Sequence, residues 1–252
     1  MSATDIFLLV LLFFITSAVG VVTGSNSLIT VPVMFQFGID PKAAVATNMF
    51  GLTFMAIGAT IPFLRQGAID KKRVSPLILL TIVGSAIGAA LVSFISDKTM
   101  PIIVSVAMIV VTIFTLIKRD AGVAVVKRIS RNSLIITYAL TFLLGIYGGL
   151  YSGGYVTMLT ASLVAFFGMT FTESVASTKL INVFSSSIAT LIFMWQGLVD
   201  YRLGVILAVT MFIAAYAGAN IVTKLNDVWL KRIFLLTVLI LAVKTIFDFT
   251  LK

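Results

Sequence analysis

Two stretches of the chain lack any charged residue and are far longer than the other apolar segments. The first runs from Ile6 to Ile39 and the second from Asn132 to Thr172. A helix needs about 20 apolar residues to cross the hydrocarbon core of a bilayer. Each run is therefore too long for one crossing helix and barely long enough for two. We predict a pair of helical segments in each.

The remaining apolar stretches have the length of single membrane helices. They are continuous rather than alternating, which favours helices over a β-barrel. The single spans are predicted at Ala43–Leu64, Val74–Ser96, Thr99–Ile117, Leu180–Val199, Leu203–Thr223 and Ile233–Val243. The pattern thus predicts an all-α polytopic membrane protein with about eight to ten membrane helices, depending on whether the paired segments cross fully.

A polar, glycine-rich stretch interrupts each long run. The first is GSNS at Gly24–Ser27, and the second is GGLYSGGY at Gly148–Tyr155. Irregular backbone is tolerated at membrane depth only where protein or a cavity, rather than lipid, surrounds it. We expect broken or hairpin segments at the start of each half, with the breaks lining a cavity. The alternative is that these small residues only permit close helix packing.

The two halves of the chain resemble each other at an offset of 130 positions. LRQGAID at Leu64–Asp70 matches MWQGLVD at Met194–Asp200, and FGID at Phe37–Asp40 matches FGMT at Phe167–Thr170. Such self-similarity indicates an internal duplication. We predict a first transmembrane repeat at 1–117, a basic cytoplasmic linker at 118–131 and a second transmembrane repeat at 132–252.

Charge predicts that the repeats have opposite topology. Twelve of the 18 basic residues fall in Arg65–Arg73, Lys118–Arg131 and Lys224–Arg232, which the positive-inside rule makes cytoplasmic. The counterpart of the first loop in the second half holds only Asp200 and Arg202. Equivalent loops would then face opposite sides of the membrane. This requires an odd number of crossings per half and an N-terminus outside.

Composition supports a membrane protein and excludes several kinds of chemistry. Hydrophobic residues make up 60% of the chain and charged residues 11%, against roughly 25% charged in soluble domains. The chain has no cysteine and no histidine, which excludes disulfides and His/Cys metal sites. The net charge of +9 is better explained by cytoplasmic loops than by nucleic acid. No nucleotide-binding motif is present, so ATP is not expected to drive the protein directly.

Each long run leads into a loop that opens another helix. In the first half, Asp40 is the predicted N-cap and Pro41 the first helical residue. In the second half, Thr172 is the predicted N-cap, with Glu173 in the first turn. Capping is the simpler role for both acids.

Lys179 is the most informative polar residue because it lies inside an otherwise apolar segment. An ionisable residue within a membrane helix is a functional-site hypothesis. Asn182 lies three positions further on the same helix face, and Glu173 is not at helical pairing distance. We expect Lys179 to hold an anion, the alternative being that its side chain snorkels to the interface. The predicted substrate-binding residues are Gly24, Ser25, Asn26, Ser27, Thr47, Asn48, Ser152, Gly153, Gly154, Tyr155, Ser177, Thr178, Lys179 and Asn182.

In order, spacing and duplication, these motifs resemble the TauE/SafE family of sulfite and organosulfonate exporters over almost the whole chain. The resemblance is carried by GSNSLITVP (Gly24–Pro32), DPKAAVATN (Asp40–Asn48), RQGAID (Arg65–Asp70), GIYGGLYSGG (Gly145–Gly154), ASTKLIN (Ala176–Asn182) and WQGLVD (Trp195–Asp200). It implies a multi-pass transporter of small sulfur-containing or carboxylate anions in a bacterial or archaeal inner membrane, without a bound cofactor. The family usually has consecutive glycines where this chain has Ser25 to Ser27, and Tyr155 falls in the second glycine cluster. These side chains would narrow the site or change the anion.

The sequence therefore predicts a secondary transporter, and in the first place an exporter, that works by alternating access. Its expected partners are a small anionic substrate and membrane lipid, with no nucleic acid, and a homodimer is left open. The rival functions are an anion channel of the same fold, an intramembrane enzyme using serine and lysine, and a membrane partner protein without transport.

Overall fold

The computed structural model describes residues 2–24, 26–117, 130–225 and Arg232. Ser25, most of the predicted linker and the predicted span Ile233–Val243 lie outside the described residues. Within those ranges the chain is helical and contains no strand, which confirms the all-α prediction. The α-helices are α1 (Ala3–Thr23), α2 (Ser27–Gln36), α3 (Pro41–Arg65), α4 (Lys71–Leu91), α5 (Met100–Ile117), α6 (Arg131–Leu150), α7 (Tyr155–Phe166), α8 (Phe171–Trp195) and α9 (Tyr201–Val222).

Both long charge-free runs are broken into two helices where the glycine-rich stretches predict. The first break separates α1 from α2, and the second separates α6 from α7. Gly24 and Gly154 have φ values of 67° and 79°. This left-handed conformation costs other residues about 1–2 kcal/mol. Glycine therefore allows the chain to leave one helix and begin another within a few residues.

Six helices of the described chain are long and apolar enough to cross a membrane, namely α1, α3, α4, α6, α8 and α9. The apolar helices α2 and α7 are shorter. An α-helix rises about 1.5 Å per residue, so neither of these helices could cross a bilayer alone. Each break thus joins a full-length helix to a half-length one.

The helix starts after the two long runs are capped differently from each other. Asp40 caps α3 as predicted, because its Oδ1 accepts from the backbone N–H groups of Lys42 and Ala43, both at 3.0 Å. For α8 the prediction of Thr172 was wrong, since Thr170 is the N-cap. Thr170 lies three residues before Glu173, which is the spacing that a reciprocal capping box requires.

The fourth helix of each half packs mainly against the other half. Helix α4 packs along α6 and α8, whereas α9 packs along α1 and α3. Close approach of α4 to α6 depends on Gly88, where a Cβ would strike the Ile146 carbonyl oxygen. Helices α3 and α8 also pack on each other. The two halves are therefore interlocked rather than side by side.

Helices α3 and α9 run in the same direction. Near their N-terminal ends, the Thr47 hydroxyl accepts from the Asp200 backbone N–H at 3.0 Å. At their C-terminal ends, the Gln66 side-chain amide donates to the Thr223 carbonyl oxygen at 3.1 Å. Two helices that meet at both matching ends must be parallel.

Helices α4 and α8 are parallel for the same reason. Near their N-terminal ends, the Arg73 guanidinium donates to the Phe167 carbonyl oxygen, just before α8. At their C-terminal ends, the Gln196 side-chain amide lies 3.4 Å from the Ala89 carbonyl oxygen. Each pair joins the third helix of one half to the fourth helix of the other.

Candidate functional site

The two breaks meet in the interior of the protein. The Ser27 and Ser152 hydroxyls lie 2.7 Å apart. The Tyr151 hydroxyl donates to the Ser27 carbonyl oxygen at 2.9 Å, and the Thr157 hydroxyl donates to the Thr23 carbonyl oxygen at 2.6 Å. Side chains flanking the second break thus bond to backbone carbonyls on both sides of the first break, at the last residue of α1 and the first residue of α2.

Gly24 lies where the end of α1 passes closest to the start of α7. A Cβ at this position would lie 2.6 Å from the Val156 Cγ1 atom and 2.8 Å from the Thr157 nitrogen. Both separations are far below normal contact distance, so a side chain here would force the two breaks apart.

A small cavity lies between the two breaks and helices α3 and α8. It has room for about one water molecule. Its lining combines apolar side chains with five polar ones. The lining residues are Gly20, Gly24, Asn26, Ser27, Leu52, Met55, Ala56, Ser152, Val156, Lys179 and Asn182.

Lys179 is one of the residues that line this cavity. Its side chain is buried, and its ammonium donates to the Gly20 carbonyl oxygen at 2.8 Å. Within the described part of the chain, no carboxylate oxygen lies within 4.0 Å of it. An ammonium has three N–H donors, so one neutral carbonyl leaves it poorly compensated for burial. The ammonium therefore has N–H donors left that another hydrogen-bond acceptor could use.

Asn26 supplies a second under-used polar group to the cavity. It is buried, and its amide nitrogen makes only long contacts of 3.5 Å with the Ser17 hydroxyl and the Met55 sulfur. Among the described residues, its amide oxygen has no hydrogen-bond partner. Buried polar atoms without partners are rare in native proteins. The oxygen is an acceptor and can take a donor such as a water molecule, whereas the weakly bonded amide nitrogen still has donor capacity.

Asn48 supports the site from behind and does not line it. Its amide nitrogen donates to the Ser27 hydroxyl at 2.9 Å, and its amide oxygen accepts from the Thr30 hydroxyl at 2.8 Å. Both groups of the amide are thus used to fix the start of α2. Asn48 holds Ser27 in its orientation.

Several other predicted residues also lie outside the cavity lining. The Tyr155 ring packs on Gly148, and its hydroxyl lies 3.5 Å from that of Thr81. Thr47 joins α3 to the start of α9. The Gly153 carbonyl accepts from the Tyr147 hydroxyl. These residues are structural parts of the fold around the site.

The rest of the predicted set has mixed positions. Thr178 donates to the Ser174 carbonyl oxygen at 2.6 Å and accepts from Thr160 at 3.2 Å. Gly154 begins α7. The Ser177 hydroxyl is buried, has no hydrogen-bond partner in the part of the chain that the structure describes, and is not in the lining. Ser25 lies outside the described residues. The members that do line the cavity are Gly24, Asn26, Ser27, Ser152, Lys179 and Asn182.

Sequence reasoning missed the apolar part of the lining and one backbone group. Leu52, Met55 and Ala56 were detectable in principle, because they follow Asn48 at four, seven and eight positions on the same helix face. Gly20 contributes a backbone carbonyl oxygen, and no sequence pattern marks such a group. The described residues hold no cluster of three or more acidic, histidine or cysteine side chains that could bind a metal.

Comparison with known proteins places the chain in a family. The family model described as Sulfite exporter TauE/SafE matches residues 9–245. The chain belongs to the TauE/SafE family. This confirms the resemblance seen in the sequence motifs. Together with the six candidate spans, family membership identifies a multi-pass integral membrane protein.

Three curated relatives of this chain align over 83–90% of their own length. The probable membrane transporter protein ORF9 of Sinorhizobium is 25% identical over 93% of this chain and 90% of its own. The probable membrane transporter protein YfcA of Escherichia coli K12 is 25% identical over 96% and 90%. YdhB of Bacillus subtilis, named likewise, is 27% identical over 80% and 83%. No solved structure matches this chain.

Proposed function

We propose that this protein is a secondary transporter that exports a small anion, such as sulfite, an organosulfonate or a related carboxylate, by alternating access. The observation that carries the proposal is the Lys179 ammonium. It is buried, it has no carboxylate partner among the described residues, and it lies in a cavity formed by two helix breaks. Family membership supports transport as the activity.

The lining suits an oxyanion. An anion that displaced the Gly20 carbonyl from Lys179 would gain a charge-assisted hydrogen bond, which is stronger than a neutral one. Asn26 and Asn182 offer amide donors, and Ser27 and Ser152 offer hydroxyls. These neutral groups can bind several oxygens of the same anion.

The small size of the cavity supports a mechanism in which the protein changes conformation to bind its substrate. Sulfite or a sulfonate is larger than the single water molecule that the cavity admits. Binding therefore requires the two breaks to separate, and the Ser27–Ser152 contact must open. In this proposal the described conformation is closed, and one repeat moves against the other to expose the site to each side in turn. A negative cell interior favours outward movement of an anion.

The parallel helix pairs support repeats of inverted topology. Consecutive crossing helices run in opposite directions, so α4 is opposite to α3. Helix α9 corresponds to α4 in the order of the halves, yet it runs parallel to α3. The second half would then be inverted relative to the first, as the loop charges predict. Labelling of single cysteines in the loops 66–70 and 196–200 from one side of the membrane tests this arrangement.

An intramembrane serine–lysine enzyme fits the contacts less well. In such an enzyme the lysine would lie within hydrogen-bond reach of the serine that it activates. Here the Lys179 ammonium bonds to the Gly20 carbonyl, and the Ser27 hydroxyl pairs with Ser152 and Asn48 instead. Absence of serine labelling by a fluorophosphonate probe is the expected result.

Ligand-dependent thermal unfolding tests the site. A substrate should raise the melting temperature with its concentration, because it binds only the folded state. We would compare sulfite, thiosulfate, sulfoacetate and short carboxylates on wild type, Lys179→Ala and the exposed control Lys98→Ala. Stabilisation by one anion that is lost only in Lys179→Ala is expected. Equal stabilisation of all three proteins would refute the site.

Counterflow in proteoliposomes separates a transporter from a channel. For a transporter, unlabelled anion trapped inside should accelerate uptake of labelled anion, and the flux should saturate. A channel would show neither effect. Flux without saturation or counterflow would therefore replace alternating access with a channel mechanism while leaving the binding site intact.

A further inference from the structure

We infer that the cavity selects singly charged anions and rejects doubly charged ones of the same size. This inference rests on the proposed function and narrows its substrate class to monoanions, such as hydrogensulfite, sulfonates with one charge and monocarboxylates, so that thiosulfate and sulfoacetate are expected to bind weakly. It is drawn from the balance of charges around the cavity, which are one ammonium, several neutral polar groups and two helix breaks.

Lys179 is the single full positive charge among the described residues that line the cavity. The other described cations lie at helix ends or in loops and do not line the cavity. The Lys42 ammonium lies 3.4 Å from an Asp97 carboxylate oxygen, the Arg65 guanidinium donates to a tyrosine hydroxyl, and the Arg73 guanidinium donates to the Phe167 carbonyl. None of them is available to neutralise a second negative charge in the cavity.

The helix breaks do not add a second positive charge. The start of a helix carries a partial positive charge and the end of a helix a partial negative one. Each break brings one of each together, because α1 ends where α2 begins and α6 ends where α7 begins. Gly20 and Gly24, from the end of α1, line the cavity together with Asn26 and Ser27, from the start of α2. The partial charges therefore largely cancel.

The energetic consequence differs between one and two negative charges. Doubling the charge of an ion raises the cost of removing it from water about fourfold, but it only doubles the attraction to a single ammonium. A monoanion on Lys179 forms a neutral pair, whereas a dianion leaves one uncompensated charge in a buried site. Neutral amides and hydroxyls can bind oxygens but cannot supply the missing charge.

Matched anions that differ by one charge test this inference. Carbamoylmethanesulfonate and sulfoacetate have nearly the same shape, but the amide of the first replaces the carboxylate of the second. Methanesulfonate and sulfate form a second, smaller pair. We would measure binding of all four to the full-length protein in detergent by isothermal titration calorimetry at neutral pH and constant ionic strength.

The expected result is that the monoanion of each pair binds at least about tenfold more tightly than the dianion, as an uncompensated buried charge demands. Equal or tighter binding of the dianions would overturn the inference and leave the proposed anion site standing. If none of the four anions binds, and sulfite and carboxylates also fail, the proposed function itself fails.

A gain-of-charge variant makes the test independent of the wild-type preference. Met55 lines the cavity with a side chain about as long as that of lysine, and its sulfur lies 3.5 Å from the Asn26 amide nitrogen. Met55→Lys should shift the preference towards sulfoacetate, and Met55→Gln, which adds polarity without charge, should not. A folded Met55→Lys protein with unchanged preference would contradict charge balance as the basis of selection.

Discussion

Helices α3 and α8 have the same place in the two halves but carry different chemistry. Each is the third helix of its half and contains 25 residues. Each is joined to the preceding short helix by a side-chain hydrogen bond at equivalent positions. This bond runs from Thr30 to Asn48 in one half and from Thr160 to Thr178 in the other. This contact between the second and third helices is therefore present in both halves.

The charged position is not repeated. Lys179 of α8 corresponds, at the offset of 130 positions, to Met49 of α3, and Asn182 corresponds to Leu52. Met49 is buried in the apolar core, whereas Lys179 reaches the cavity. Residues of both halves line the cavity, but its one lysine among the described residues comes from the second half.

Single substitutions that give Met49 and Lys179 each other's side chain should have the largest effect on stability. Met49→Lys puts an uncompensated ammonium in an apolar environment and should destabilise the fold by about 3–5 kcal/mol. Lys179→Met removes such a group and should stabilise the unliganded fold by about 1–3 kcal/mol while abolishing anion binding. Unfolding in detergent micelles measures both. Loss of stability in Lys179→Met would mean that the lysine is a structural residue.

Glycine-to-alanine substitutions compare the stability contribution of the first break with that of an ordinary turn. Gly24 and Gly67 share a φ of 67°, but only Gly24 is crowded by neighbouring atoms. Gly24→Ala should cost about 2–5 kcal/mol, combining backbone strain with overpacking against α7. Gly67→Ala should cost only the strain, about 1–2 kcal/mol. Equal losses in the two variants would show that the breaks do not pack as closely as described.

Removing the hydroxyls that join the breaks should have unequal effects. Ser27→Ala leaves the Asn48 amide nitrogen buried without its acceptor and should cost about 1–3 kcal/mol. Ser152→Ala removes one partner of Ser27 but leaves the Asn48 contact, so it should cost about 1 kcal/mol. A double-mutant cycle measures the coupling between the serines. Zero coupling would argue against a direct contact between the breaks.

The smallest expected difference in stability concerns the two hydrogen bonds that join each short helix to the next helix. Thr30→Val leaves the Asn48 amide oxygen unpaired and should cost about 1–2 kcal/mol. Thr160→Val removes a longer bond to Thr178, whose hydroxyl still donates to the Ser174 carbonyl, and should cost less than about 1 kcal/mol. Identical losses of stability in the two variants would indicate that the two hydrogen bonds contribute equally, in contrast to this prediction.

The sequence by itself determined the membrane class, the helix segments and the location of both breaks. The physical reason is local and strict: in lipid the backbone must satisfy its own hydrogen bonds, so apolar run length and glycine-rich interruptions define the elements. The same local rules predicted the Asp40 cap. They failed for α8 because two threonines compete there, and the three-residue spacing of Thr170 from Glu173 decides between them.

Tertiary structure alone decided which polar groups meet. The partner of Lys179 is the carbonyl of Gly20, 159 positions away, and the partner of Ser27 is Ser152, 125 positions away. It also assigned Asn48 to support Ser27, and Leu52 and Met55 to the lining. A hydrophobicity pattern does not show which apolar face of a helix will contact which other helix. The residues that form the cavity are therefore selected by the packing of α3 against α8 and by the contact between the breaks.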